Sequence, residues 1–103
     1  MGLEIQLQDE LGGRIEGITD PQNLLPGLLP SNEEAGAYPM LSGIDLYGDT
    51  VFNRLQIPRL LSELVDIASN AQTDEDRKLV SEIEMLARRC ADNLHTYLKF
   101  IGD

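Results

Sequence analysis

The sequence predicts an α+β fold: an N-terminal β-hairpin or small antiparallel sheet with a Pro/Gly-rich middle segment, packed on a C-terminal antiparallel two-helix hairpin. Three observations predict it. Residues 3–8 alternate apolar and polar side chains, the period-two pattern of a half-buried strand. Pro21, Pro26, Pro30 and Pro39 then interrupt any long regular element. Beyond position 58, apolar side chains recur at three- and four-residue steps, the mark of amphipathic helices.

In the first strand, Leu3, Ile5 and Leu7 face a core while Glu4, Gln6 and Gln8 face water. Residues 9–13 form a turn ending in Gly12-Gly13, where positive φ is free. Residues 14–18 are the return strand, with Ile15 buried and Gly17 marking a bulge. Leu24, Leu25, Leu28 and Leu29 are too apolar for a free linker and are expected to plug the core as a short turn or a helical turn between prolines. Residues 31–37 are small and polar, the expected mobile loop. Gly48 closes a turn over residues 46–49, and Thr50-Val51-Phe52 suits a short strand.

Asn53 with Gln56 resembles a capping box, but Pro58 favours the first helical position and places the first helix at residues 58–71. Its stripe is Leu60, Leu61, Leu64, Val65, Ile67, Ala68 and Ala71. Arg59, Ser62, Glu63, Asp66 and Asn70 make its wet face. Thr73 caps the second helix, and Asp74, Glu75 and Asp76 complement the positive end of its dipole. That helix is expected over residues 74–100, with Leu79, Ile83, Leu86, Cys90, Leu94, Tyr97 and Ile101 on one stripe. Asp74 with Lys78 and Glu84 with Arg88 are acid-before-base pairs one turn apart.

The 103 residues suffice for one domain, residues 1–103, with a single modest core. Its charge is lopsided. Lysine and arginine number 8 against 18 acids, a net charge of -10. Nine of those acids, with Arg14 as the one cation, lie in residues 1–53, and the second half nearly balances. Such acidity opposes direct binding to nucleic acid or an anionic membrane, both of which attract cations. No apolar run reaches the roughly 20 residues that a bilayer needs, and no targeting pattern opens the chain, so a cytoplasmic location is expected.

Chemistry-bearing residues are sparse, and an enzyme is not expected. His95 is the one histidine, with Asp92 its neighbour at helical spacing, and reads as a structural side chain. Cys90 lies on the apolar stripe, where a thiol behaves as a small hydrophobe. No spacing suits a metal, and no phosphate loop or dinucleotide glycine pattern occurs, so no cofactor is expected.

In size and charge the chain is similar to bacterial immunity proteins and antitoxins, a likeness of composition. It implies a small acidic inhibitor that masks one basic protein, such as a nuclease toxin. Two alternatives share the composition: a nucleic-acid mimic acting in counter-defence, and an accessory or scaffold subunit dimerising through the long helix. For the inhibitor, the expected partner-binding residues are Glu33, Glu34, Asp45 and Asp49, with Tyr47 as anchor. All five lie in turns and loops, where side chains are free to meet a partner.

Overall fold

The computed structural model describes residues 2–102. Among them, β1 (Glu4–Asp9) and β2 (Arg14–Thr19) form the N-terminal hairpin. A one-turn helix α1 (Leu25–Leu28) and two 3₁₀ turns (Ala35–Ala37 and Leu41–Gly43) lead to β3 (Asp49–Asn53). Helices α2 (Ile57–Ala68) and α3 (Asp74–Asp92) follow, and β4 (Thr96–Ile101) closes the chain. The strands make one antiparallel sheet in the order β2-β1-β4-β3. The fold is thus α+β, with one long helix near its C-terminal end.

The expected helix over residues 74–100 stops at Asp92, and its last third is the strand β4. Both periods fit these residues. Leu94, Tyr97 and Ile101 continue the helical stripe, while Thr96, Leu98 and Phe100 repeat every second position. The strand wins because β1 needs a second neighbour: an isolated hairpin cannot bury a face in water. Thr96, Leu98 and Phe100 are buried as a result. His95 turns the chain between helix and strand with a φ of 61°, a left-handed backbone that few side chains adopt. Leu94, expected on the buried stripe, is 67% exposed.

Several smaller expectations are also corrected. Ile15 is exposed, because the bulge falls at Ile15 itself: Leu7 pairs with Glu16 and Gln8 with Arg14, leaving Ile15 unpaired. Gly17 has a different role. A Cβ there would lie 2.8 Å from Arg14 Nε, so its absence lets the arginine lie across the sheet towards Glu4. The stripe of α2 is rotated from its expected position, and the helix ends at Ala68 rather than 71. Val65 is exposed, whereas Glu63, assigned to the wet face, is 3% exposed. Asp74 pairs with Arg77 rather than Lys78, while Glu84 pairs with Arg88 at 3.6 Å.

The helices cover one face of the sheet. Leu3 before β1, Ile5 and Leu7 of β1, Phe52 of β3 and Leu98 and Phe100 of β4 share one core with Leu60, Leu64 and Ile67 of α2 and Ile83 and Leu86 of α3. Phe52 and Phe100 meet edge to face with centroids 5.7 Å apart. Leu25, Leu28, Leu41 and Ile44 join the same core from the middle segment. On the opposite face, a ladder of side-chain bonds runs from Gln8 to Gln6 to Glu4.

Two buried carboxylates fasten the middle segment. Asp20 is 2% exposed, and its two oxygens accept the backbone N–H groups of Leu24 and Leu25, each at 2.8 Å. Glu63 reaches out from α2 and accepts the N–H groups of Met40 and Leu41, the latter at 2.9 Å. Arg59 binds Glu63 at 3.1 Å and also donates to the carbonyl of Ala37. Segments too short for their own ladders thus find acceptors for their amides.

Leu64 and Leu86 are 0% and 1% exposed, at the heart of the helix layer. Replacing either by alanine is expected to destabilise the protein by about 2–5 kcal/mol in urea unfolding, from lost transfer energy and the cavity left behind. A loss below about 1 kcal/mol at both positions would contradict this packing.

Candidate functional site

The strand registers set two ends to the molecule. Pairing of Glu4 with Thr19 and of Asp49 with Ile101 puts the start of β1, the end of β2, the start of β3 and the end of β4 together. The turn before β3 therefore lies at this end. It is bound to the end of β4, where Gly102 N–H donates to the carbonyl of Gly48 at 2.6 Å. A Cβ on Gly102 would fall 2.5 Å from Gly48 N, so a side chain there would break the contact.

Within that turn the acids have local work. Asp45 Oδ1 accepts the N–H of Tyr47 at 2.9 Å, and Asp45 N–H donates to Thr50 Oγ1. This closes an Asx turn that thrusts Tyr47 outward, 84% exposed. Asp49 Oδ2 lies 3.3 Å from Lys99 Nζ on the neighbouring strand. The turn acids are thus less free than their loop position suggested. Their remaining oxygens still face water, since both residues are exposed.

Glu33 and Glu34 lie elsewhere along the chain's path. Glu34 accepts the N–H and hydroxyl of Ser31, and the segment that follows is held to α2 through Ala37 and Arg59. Among the described residues, no hydrogen bond or ion pair joins either glutamate to the Asp45–Asp49 turn. The structure brings Asp45, Tyr47 and Asp49 together in one turn, and Glu33 and Glu34 belong to a different segment.

Other acids share the end with Tyr47. A cleft of 140 Å³ lies between Tyr47, Leu46, Pro26 and Asn23. On the far side of the Asp20 turn, a cleft of 180 Å³ is lined by Thr19, Asp20 and Gln22 with Glu75, Lys78 and Glu82 of α3. The first turn of α3, with Asp74, Glu75 and Asp76, therefore faces the same way as the Asp45–Asp49 turn. The acids Glu4, Asp45, Asp49, Asp74, Glu75, Asp76 and Glu82 lie towards this end with the cations Arg14, Arg77, Lys78 and Lys99, and Asp20 is buried beneath them. Sequence reasoning gave Asp74, Glu75 and Asp76 to the helix dipole, and Asp74 also to Lys78. Their place became visible only when β4 returned the chain beside β1.

The opposite end holds the exposed leucines Leu11, Leu55 and Leu94. Leu11 had a signal in the sequence, a large apolar residue inside the expected turn over residues 9–13, where glycine or a polar side chain is usual, whereas Leu94 was hidden in the helical stripe. His95 also lies there, its Nδ1 3.5 Å from Glu10 Oε2, with both side chains mostly in water. Cys90 is fully buried next to Thr96, whose hydroxyl lies 3.6 Å from Sγ. Among the described residues no three His, Cys, Asp or Glu side chains converge as metal ligands. No helix among them is long and apolar enough to cross a membrane.

Comparison with protein-family models, curated proteins and solved structures gives no match for the chain.

Burial pushes the Cys90 thiol above its ordinary value of 9.0, against smaller opposing pulls from the Thr96 hydrogen bond and Arg54. The folded protein then holds this proton more tightly than the unfolded chain. The resulting stabilisation is complete below pH 9 and is lost as pH rises beyond it. Native protein is expected to react slowly with a thiol reagent at mildly alkaline pH and rapidly in urea. Equal rates in the two conditions would contradict the burial.

Proposed function

We propose that the protein is a small acidic inhibitor, of the immunity or antitoxin type, that masks a basic cleft on one partner protein such as a nuclease toxin. The observation that carries the reading is the acidic end with Tyr47 standing out of it. Acidity alone serves solubility equally well. An aromatic side chain 84% exposed amid carboxylates is what a protein-binding surface needs in addition. The reading is of a binding protein.

The residues divide the work. The first-turn acids of α3 and the Asp45 and Asp49 carboxylates draw a cationic surface in and orient it. Tyr47 supplies apolar area and a hydroxyl at the centre of contact. Asp49 exchanges part of its interaction with Lys99 for a cation of the partner. Glu33 and Glu34, in the segment before the Arg59–Ala37 contact, act at the rim and alter the association rate more than the affinity.

The test is affinity capture from the native host, followed by titration of the captured protein. The partner is expected to be basic. Tyr47→Ala is expected to weaken binding by about 2 kcal/mol, roughly thirtyfold. The pair Asp45→Asn and Asp49→Asn is expected to slow association and flatten its dependence on salt. Affinity that ignores both salt and these substitutions would overturn the reading.

A further inference from the structure

We infer that two copies of this chain associate through the end of the sheet opposite the acidic one, related by a two-fold axis, with their acidic ends pointing outward. Three turns meet at that end. Asp9 of β1 pairs with Thr96, and Asn53 of β3 pairs with Tyr97. The β1–β2, β3–α2 and α3–β4 turns are therefore neighbours, within about three inter-strand spacings, or about 15 Å. Arg54 ties two of them, donating to the carbonyl of Ala91 at 2.9 Å.

Each turn carries a leucine outward. Leu11 is 92% exposed, Leu55 87% and Leu94 67%, and the bulged Ile15 beside them is 49% exposed. Leu94 and Ile15 line one cleft of 310 Å³ with His95 and Arg89. Local geometry holds these side chains out rather than merely failing to bury them. Asp9 Oδ1 accepts the N–H groups of Leu11 and Gly13, and Asn53 and Gln56 exchange backbone-to-side-chain bonds across the turn that bears Leu55. His95 adopts its left-handed backbone directly after Leu94. Three leucines and an isoleucine gathered at one end mark an interface.

Charge selects the occupant. This end bears the acids Asp9, Glu10, Glu16 and Asp92 against Arg54 and Arg89, two charges from neutral in a chain of net charge -10, while Arg14 turns back across the sheet towards Glu4. Glu16 and Arg89 already pair across it. A basic partner is drawn to the other end. For a second copy, meeting here places the two acidic ends farthest apart. Mixed signs around an apolar centre suit a self-complementary, isologous contact.

Sedimentation equilibrium of the pure protein, from micromolar to about millimolar concentration, reads the association directly. The mass is expected to rise from 11.4 kDa to twice that value. Association is expected to tighten as salt rises, because screening relieves repulsion between acidic chains. Salt thus acts here with the sign opposite to its effect on a basic partner. Leu11→Asp and Leu94→Asp, both at exposed turn positions, are each expected to weaken self-association by about tenfold or more. Tyr47→Ala is expected to leave it unchanged. A wild-type protein that stays monomeric throughout, or a dimer indifferent to both leucine substitutions, would overturn the proposal. The second result would move the interface to another surface, such as the outer face of α3.

Discussion

Asp20 and Glu63 are the contacts on which the rest of the structure depends. Between β2 and β3 the chain runs through 29 residues with one helical turn and two 3₁₀ turns. Such a segment cannot satisfy its own amides, yet Leu25, Leu28, Leu41 and Ile44 must be buried to complete the core. The two carboxylates resolve this conflict at the two places where chain enters core. Asp20 serves Leu24 and Leu25, and Glu63 serves Met40 and Leu41. A buried amide left without a partner costs about 1–3 kcal/mol, so losing either carboxylate would loosen the leucines it places. Among the described residues no buried side-chain nitrogen or oxygen lacks a partner.

The second constraint is topological. The central pair of the sheet joins the first strand to the last, β1 to β4. Most of the chain lies between them, so the sheet assembles through a long-range contact, which slows folding. This pairing also gives the molecule its two unlike ends. It brings the last strand beside the Asp45–Asp49 turn at one end. At the other it sets the helix-to-strand turn next to the hairpin turn.

Much of this was legible in the sequence, and the failures have physical causes. The alternation from Leu3 to Gln8 announced β1 because one face of that strand is dry and the other is not. Thr73 announced the start of α3, and its hydroxyl does accept the N–H of Asp76. Residues 94–101 satisfied two periods at once, and only the sheet's need for a further strand decides between them. Glu63 was misread because a carboxylate on a helix normally faces water. Its burial depends on backbone amides 22 and 23 residues away, which no local pattern displays. Charge was misread in the same way. The acidic half of the sequence is not the acidic end of the fold: Asp9 and Glu10 go to one end and Asp45 and Asp49 to the other, where α3 acids join them.

The site inherits its form from these constraints. Tyr47 projects because Asp45 closes the turn beneath it, and that turn is placed by Ile44, which enters the core directly after the segment held by Glu63. The Asp20 turn separates the two clefts that flank the acidic end. Amide hydrogen exchange tests this account most directly. The N–H groups of Leu24, Leu25, Met40 and Leu41 are predicted to exchange far more slowly than those of Asn32 and Gly36, which lie in the same segment without a carboxylate acceptor. Equal, rapid exchange at all six positions would show that the carboxylates do not hold the segment, and would contradict the account.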